Sequence, residues 1–161
     1  MFLKRTSKRD GFSLIELTIV IAVCALFLAM AVPAMHNYLA QCRLEAACLR
    51  LQQDIRSTAQ DALVKESAYY NVCLYPTLEK YRVTDISKPG TSREVVLPDG
   101  VDLVGTTYDD NYNTIYFTAT GLPVSGGHIS LKSESTGKFM YVIITPVTGR
   151  TRVGDEPPDW R

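Results

Sequence analysis

The sequence predicts an α+β fold. One long N-terminal helix, membrane-spanning in its first half, packs on a C-terminal antiparallel β-sheet or sandwich domain. Three observations predict it. Residues 12–32 are almost wholly apolar, with Glu16 as the single charge. Leu44, Cys48, Leu51, Ile55, Ala59, Ala62 and Leu63 then follow three- and four-residue steps, the stripe of a one-sided helix. From Tyr69 onward, β-branched and aromatic residues alternate with Gly, Pro, Asn and Asp, the punctuation of short strands and turns.

A length of 161 residues fits one domain with an appendage. Seventeen Lys and Arg balance seventeen Asp and Glu, so no bulk charge draws the chain to nucleic acid. At 46% hydrophobic and 21% charged residues, wholesale disorder is excluded.

The charges are unevenly placed. Residues 1–11 form a basic leader with Lys4, Arg5, Lys8 and Arg9 against Asp10, and residues 12–161 hold 13 Lys and Arg against 16 Asp and Glu. At about 1.5 Å per residue the run 12–32 spans roughly 30 Å, the thickness of a bilayer's hydrocarbon core. A basic flank keeps the N-terminus cytoplasmic, which places residues 34–161 on the other side. Glu16 is the anomaly, since a carboxylate in a membrane span costs up to ~2.5–3.5 kcal/mol. A plain anchor leaves that charge without a partner. So does a secretory signal cut near Ala29-Met30-Ala31.

Gly11-Phe12-Ser13-Leu14-Ile15-Glu16-Leu17 resembles the type IV prepilin junction. The resemblance implies cleavage by a prepilin peptidase between Gly11 and Phe12, N-methylation of Phe12 and retention of the apolar helix. It makes Glu16 the assembly residue, whose carboxylate meets the N-terminal amine of a neighbouring subunit in a filament. Pairing two charges that are each costly in lipid sets a register. Pro33 stands where pilin-like helices often carry a kinking proline.

Beyond Pro33 no Gly or Pro interrupts residues 34–75, and Arg43, Glu45, Arg50, Gln53, Asp54, Arg56 and Asp61 fill the faces off the apolar stripe. The spacing predicts a helix over 12–66, transmembrane over 12–32 and amphipathic over 34–66. A β-rich domain over 67–153 and a flexible polar tail over 154–161 complete the chain. Cys24 lies in the membrane span as a small apolar residue. Cys42 and Cys48, about 9 Å apart along one helix, are beyond disulfide reach. Cys73, on the first expected strand, meets Cys48 if that strand packs on the helix; two buried free thiols are the alternative.

Eight strands are expected, at 69–75, 80–84, 94–97, 102–104, 114–118, 128–133, 138–145 and 151–153. Near-continuous apolar runs at 69–75 and 139–144 mark central strands. His128, Ser130 and Lys132 alternate with Ile129 and Leu131, which predicts a strand with one wet face. About 95 residues of this kind bury too little surface alone, so the helix is expected to complete the core.

Phe117-Thr118-Ala119-Thr120-Gly121-Leu122-Pro123, Gly126-Gly127-His128-Ile129-Ser130-Leu131 and Thr148-Gly149-Arg150-Thr151-Arg152-Val153 occur in that order. With the junction they make the chain similar to one group, the H-type minor pseudopilins of type II secretion (GspH) and the related FimT and FimU minor pilins. That resemblance implies a non-enzymatic subunit near a filament tip. Its partners would be other minor and major pseudopilins or pilins, an inner-membrane assembly platform and secreted cargo. Some FimT-like pilins bind DNA through a Gly-Arg-x-Arg segment. Arg150 and Arg152, at i and i+2 on one strand face, would suit successive phosphates, with Lys132, Lys138 or Arg161 as helpers. The alternative is a structural hairpin, and Asp155, Glu156 and Asp159 close behind oppose phosphate.

Asp109, Asn111 and Asn113 alternate like the opening of a calcium loop, but Thr114 and Thr120 stand where an EF-hand needs Gly and Glu. His36 and His128 have no nucleophile or metal-ligand set placed beside them. No cofactor, metal site or catalytic residue is therefore expected. The junction makes a direct prediction. Gly11→Ala should leave the chain inserted but uncut, and N-terminal sequencing of the membrane-bound variant that still begins at Phe12 would refute it.

Overall fold

A computed structural model describes residues 13–86, 88, 90–108 and 113–159. The chain divides into two compact units between His36 and Asn37. A single helix, α1 (Leu14–Val64), runs through that division with Pro33 inside it.

In the first unit the side chains of α1 are exposed on every face. The helix is long and apolar enough to cross a membrane. This follows from its sequence, since a run apolar all round has no polar face to turn to water. Pro33 has no N–H to donate to the preceding turn, the ordinary origin of a kink.

In the second unit α1 becomes one-sided. Leu44, Ala47, Cys48, Leu51, Ile55 and Ala62 are buried. Two details differ from the apolar stripe read in sequence. Leu63 is 54% exposed, whereas Asp54, expected on the wet side, is 8% exposed. The helix stops two residues short of Glu66. The N–H of Glu66 donates to the Leu63 carbonyl and that of Ser67 to the Ala62 carbonyl, the paired bonds of a Schellman cap. Glu66 takes the left-handed conformation such a cap requires, at φ 47°.

The β domain has eight strands: β1 (Tyr70–Tyr75), β2 (Lys80–Asp85), β3 (Arg93–Val96), β4 (Val101–Thr106), β5 (Thr114–Tyr116), β6 (Gly127–Ser133), β7 (Phe139–Ile144) and β8 (Thr151–Gly154). They form two four-stranded sheets, β3-β2-β1-β5 and β4-β6-β7-β8, with every neighbouring pair antiparallel. The apolar strands β1 and β7 are interior strands of their sheets, as their composition predicts. β4 is longer than expected because a bulge between Leu103 and Gly105 lets its pairing with β6 continue. β5 is shorter, with Phe117 leaving the strand to bridge Pro123.

One apolar cluster joins the three layers. It contains Leu44, Leu51 and Ile55 of α1, Val72, Tyr81 and Ile115 of the first sheet, and Ile129, Leu131 and Val142 of the second. Polar side chains of α1 hold both sheets. The Tyr81 hydroxyl donates to Asp54 Oδ2 at 2.7 Å, and the Arg93 guanidinium to Asp54 Oδ1. From the adjoining turns, Gln52 Nε2 donates to the Thr151 carbonyl at 2.8 Å, joined there by Arg56. Thr151 lies on β8, an edge strand, so α1 covers polar groups that an edge would leave open.

The buried Tyr81 hydroxyl is held in its neutral form chiefly by burial, then by its bond to Asp54. Asp54→Ala should therefore lower the unfolding free energy by about 1–3 kcal/mol, since it strands that hydroxyl. Adding Tyr81→Phe should recover part of the loss, because the orphaned group goes too. Denaturant unfolding of the full chain in detergent tests this; strictly additive losses would break the assignment.

Candidate assembly site and the C-terminal motif cluster

In the first unit, α1 begins with Ser13-Leu14-Ile15-Glu16, the S-x-x-E pattern of a capping box. The Ser13 backbone N–H donates to Glu16 Oε2 at 3.0 Å, and the Ile15 N–H to Ser13 Oγ at 3.4 Å. The carboxylate thus lies against the helix's own N-terminus, where unpaired N–H groups and the helix dipole favour negative charge. A carboxylate accepts through two oxygens, which leaves capacity for a further donor. Gly11 and Phe12, the expected cleavage pair, lie outside the described residues. The capping role of Glu16 was open to sequence reading through Ser13, three residues before it.

In the second unit, the three C-terminal motif segments come together. A Cβ built on Gly121 (φ +73°) would lie 2.7 Å from the Ala59 carbonyl oxygen of α1. One on Gly149 (φ +63°) would lie 3.0 Å from Pro123 Cδ, and one on Gly126 would meet the Pro146 ring at 2.4 Å. The loop from Phe117 to Gly126 is therefore wedged between the end of α1 and the β7–β8 turn, with glycines wherever a side chain would collide. The turn itself closes through Thr145 N–H to the Arg150 carbonyl and Gly149 N–H to the Thr145 carbonyl, both at 3.0 Å.

Arg150 and Arg152 are exposed on either side of buried Thr151, so they share the outer face of β8. No ion pair involves either among the described residues. His128 departs from the expected wet face: it is buried, edge-on to the Tyr141 ring at 5.6 Å. The Tyr141 ring, from the neighbouring strand β7, supplies part of that cover. Asp109 and Asn111 lie outside the described residues, as does Arg161. The tail over 154–161, expected to be flexible, begins inside β8 at Gly154 and buries Pro158.

Cys48 and Cys73 are free thiols. Strand alternation explains why they do not pair. Val72 and Leu74 of β1 enter the cluster that holds Cys48, which turns Cys73 to the other face of the sheet. There the Cys73 thiol faces Asn71 Oδ1 at 3.8 Å and accepts from Thr114 Oγ1 at 3.6 Å. Burial pushes the Cys48 thiol up to about 12, so it stays protonated and unreactive near neutrality.

Sequence reading missed the buried Asp54. Its signal was an acidic residue next to Ile55 on the apolar stripe, and the partners Tyr81 and Arg93 come from distant strands. It also missed a group of three carboxylates, Glu79, Asp102 and Glu134, whose oxygens lie within 4.8 Å of one another. The charge of Asp102 holds the Glu134 carboxyl above the usual carboxylate range.

The motif cluster separates backbone demands from side-chain demands. Gly149→Ala should cost about 1–2 kcal/mol, because it forces a Cβ into left-handed backbone against Pro123. Arg150→Ala should stay within about 0.5 kcal/mol. Thermal unfolding of the two variants with the same loss would remove the distinction.

Residues 6–32 match the family model of the prokaryotic N-terminal methylation motif. No curated protein and no solved structure matches the chain. The matched segment takes in the end of the basic leader, the junction and the apolar half of α1. The chain accordingly carries a type IV prepilin-like N-terminus, suited to membrane anchoring, on a pilin-like α+β body.

Proposed function

We propose that this protein is a minor pseudopilin, a non-enzymatic subunit at or near the tip of a type II secretion pseudopilus. It enters the bacterial inner membrane once, with the leader cytoplasmic and the β domain periplasmic. Prepilin peptidase cuts between Gly11 and Phe12, Phe12 is N-methylated, and the assembly platform adds the subunit to other minor and major pseudopilins, where it meets secreted cargo.

The observation that carries this reading is the position of Glu16. It is a lone carboxylate in an apolar helix, held by a capping box five residues after the junction glycine. In lipid the capping N–H groups offset part of the cost of the charge, and a neighbour's terminal amine supplies the remaining compensation in a filament. The order of the three C-terminal motifs supports the GspH-like group.

A second reading, a FimT- or FimU-like minor pilin that binds DNA, draws support from one observation: Arg150 and Arg152 stand exposed on one face without an ion partner among the described residues. Binding of that kind weakens steeply with salt. The acidic residues at 155, 156 and 159 count against it.

Glu16→Ala should be inserted and processed normally yet enter filaments poorly. The check is intact-mass analysis of the membrane-isolated protein, beginning at N-methyl-Phe12, alongside quantification of the variant in sheared filaments. A chain beginning near Pro33, or normal incorporation of the variant, would sink the filament reading.

A further inference from the structure

We propose that β3 and the polar cleft beside it form a docking site for an extended, uncharged polar segment of a secreted polypeptide, which joins the first sheet as a fifth strand. The inference rests on the secretion reading above for its setting, and adds the site and the chemistry of what it takes. Every group in it belongs to the second unit.

Three of the four sheet edges are closed to a partner. β8 is covered by α1 through Gln52 and Arg56. At β5 the Tyr116 carbonyl accepts from the Val124 N–H at 2.9 Å, so the chain after Phe117 returns along that edge. β4 is bent by its bulge between Leu103 and Gly105. β3 instead pairs with β2 in unbroken register, and no strand among the described residues pairs with its other side. Just past β3, the Leu97 N–H donates to the Glu79 carbonyl at 2.9 Å. Antiparallel ladders bond at alternate residues. Arg93 and Val95 therefore face β2, and the N–H and C=O groups of Glu94 and Val96 point outward. The charges that commonly guard an edge are occupied here, Glu94 by Lys80 and Arg82, Arg93 by Asp54.

Arg93 also lines a cleft of about 550 Å³ between α1 and the β2–β3 hairpin. The charges of its lining balance, Asp54, Asp61 and Asp85 against Lys65, Lys88 and Arg93. Much of the matching is internal. Arg93 holds Asp54, and the Tyr70 hydroxyl accepts from Lys65 Nζ at 2.6 Å while donating to Asp85 Oδ2 at 2.9 Å. The Gln53 amide and the Ser57 hydroxyl, on the α1 wall, have no hydrogen-bond partner among the described residues. A wall of matched charges with spare amide and hydroxyl groups favours neither sign. It suits side chains that both donate and accept without charge, those of Ser, Thr, Asn and Gln.

A strand laid along β3 sends every second side chain to the face of Arg93 and Val95, the face on which the cleft lies. An oligosaccharide carries hydroxyls too, but has no backbone ladder for Glu94 and Val96. Nor does it find an open ring to stack on, since Lys65 Nζ lies over the Tyr70 ring at 4.9 Å. Two residues of free ladder and a wet cleft make a small contact, short of the roughly 800 Å² per partner of stable complexes. That scale fits a passing polypeptide rather than a permanent neighbour in a filament.

The test uses the full chain in detergent and a fluorescein-labelled, C-terminally amidated octapeptide of alternating threonine and glutamine. Anisotropy should show saturable binding that changes less than about twofold between about 50 and about 500 mM salt, because no net charge is exchanged. Val96→Pro removes one outward N–H and leaves the ladder to β2 intact, so it should weaken binding at least about tenfold. Ser57→Trp, which fills the cleft from α1, should do the same without touching β3, and both variants should unfold thermally like the parent. In secreting cells, benzoylphenylalanine in place of Thr91 should crosslink to a polypeptide also recovered from the medium, and Val96→Pro should remove that adduct. No saturable binding, binding of maltohexaose in place of the peptide, binding lost with salt or kept by both variants, or an adduct to another filament subunit would overturn the proposal. Normal incorporation of Glu16→Ala with peptide binding as expected would instead count against the filament reading alone.

Discussion

Neither four-stranded sheet closes on itself, so each has an apolar inner face that must be covered. The second half of α1 meets this need together with the opposite sheet. Leu44, Leu51 and Ile55 enter the same cluster as Val72 and Tyr81 on one side and Ile129 and Val142 on the other. Everything else in the second unit is arranged around that shared burial. The hydrogen bonds that Asp54 accepts from β2 and β3, and those that Gln52 and Arg56 donate to β8, fix how the helix lies on the sheets. The motif loop then wedges against Ala59.

Carboxylates meet three different solvents in this chain, and each is handled differently. Glu16, in the apolar segment, takes backbone N–H groups at its own helix start. Asp54, in the protein interior, takes a tyrosine hydroxyl and a guanidinium, the pairing that makes a buried charge tolerable. Glu79, Asp102 and Glu134, at the surface, crowd one another where water screens the repulsion. The first two are complete within the subunit or nearly so.

The glycine-rich motifs are chiefly packing devices. Gly121, Gly126 and Gly149 stand where a Cβ would strike Ala59, Pro146 or Pro123, so the spacing of glycines in the C-terminal third records close approaches of backbone. Arg150 and Arg152 are free of that duty. Their side chains point to solvent while the backbone between them, at Thr151, is held by α1. A strand so anchored presents its two guanidinium groups from a rigid frame.

Local chemistry is legible in the order of the residues. The continuous apolar run, the S-x-x-E start, the helical stripe and the strand alternation each depend on neighbours within a few positions, so the elements and the junction can be read from the chain alone. Where the reading failed, the deciding contact came from far along the chain. Asp54 is buried because Tyr81 and Arg93 reach it across 27 and 39 residues. His128 lies against the Tyr141 ring of β7, and Cys73 misses Cys48 because the pleat sends it to the other face. The gathering of Glu79 after β1, Asp102 on β4 and Glu134 after β6 likewise exists only once the chain has folded. Folding in three dimensions settled these points, because burial and charge proximity depend on which distant segments share a face, and a one-dimensional pattern carries no record of that.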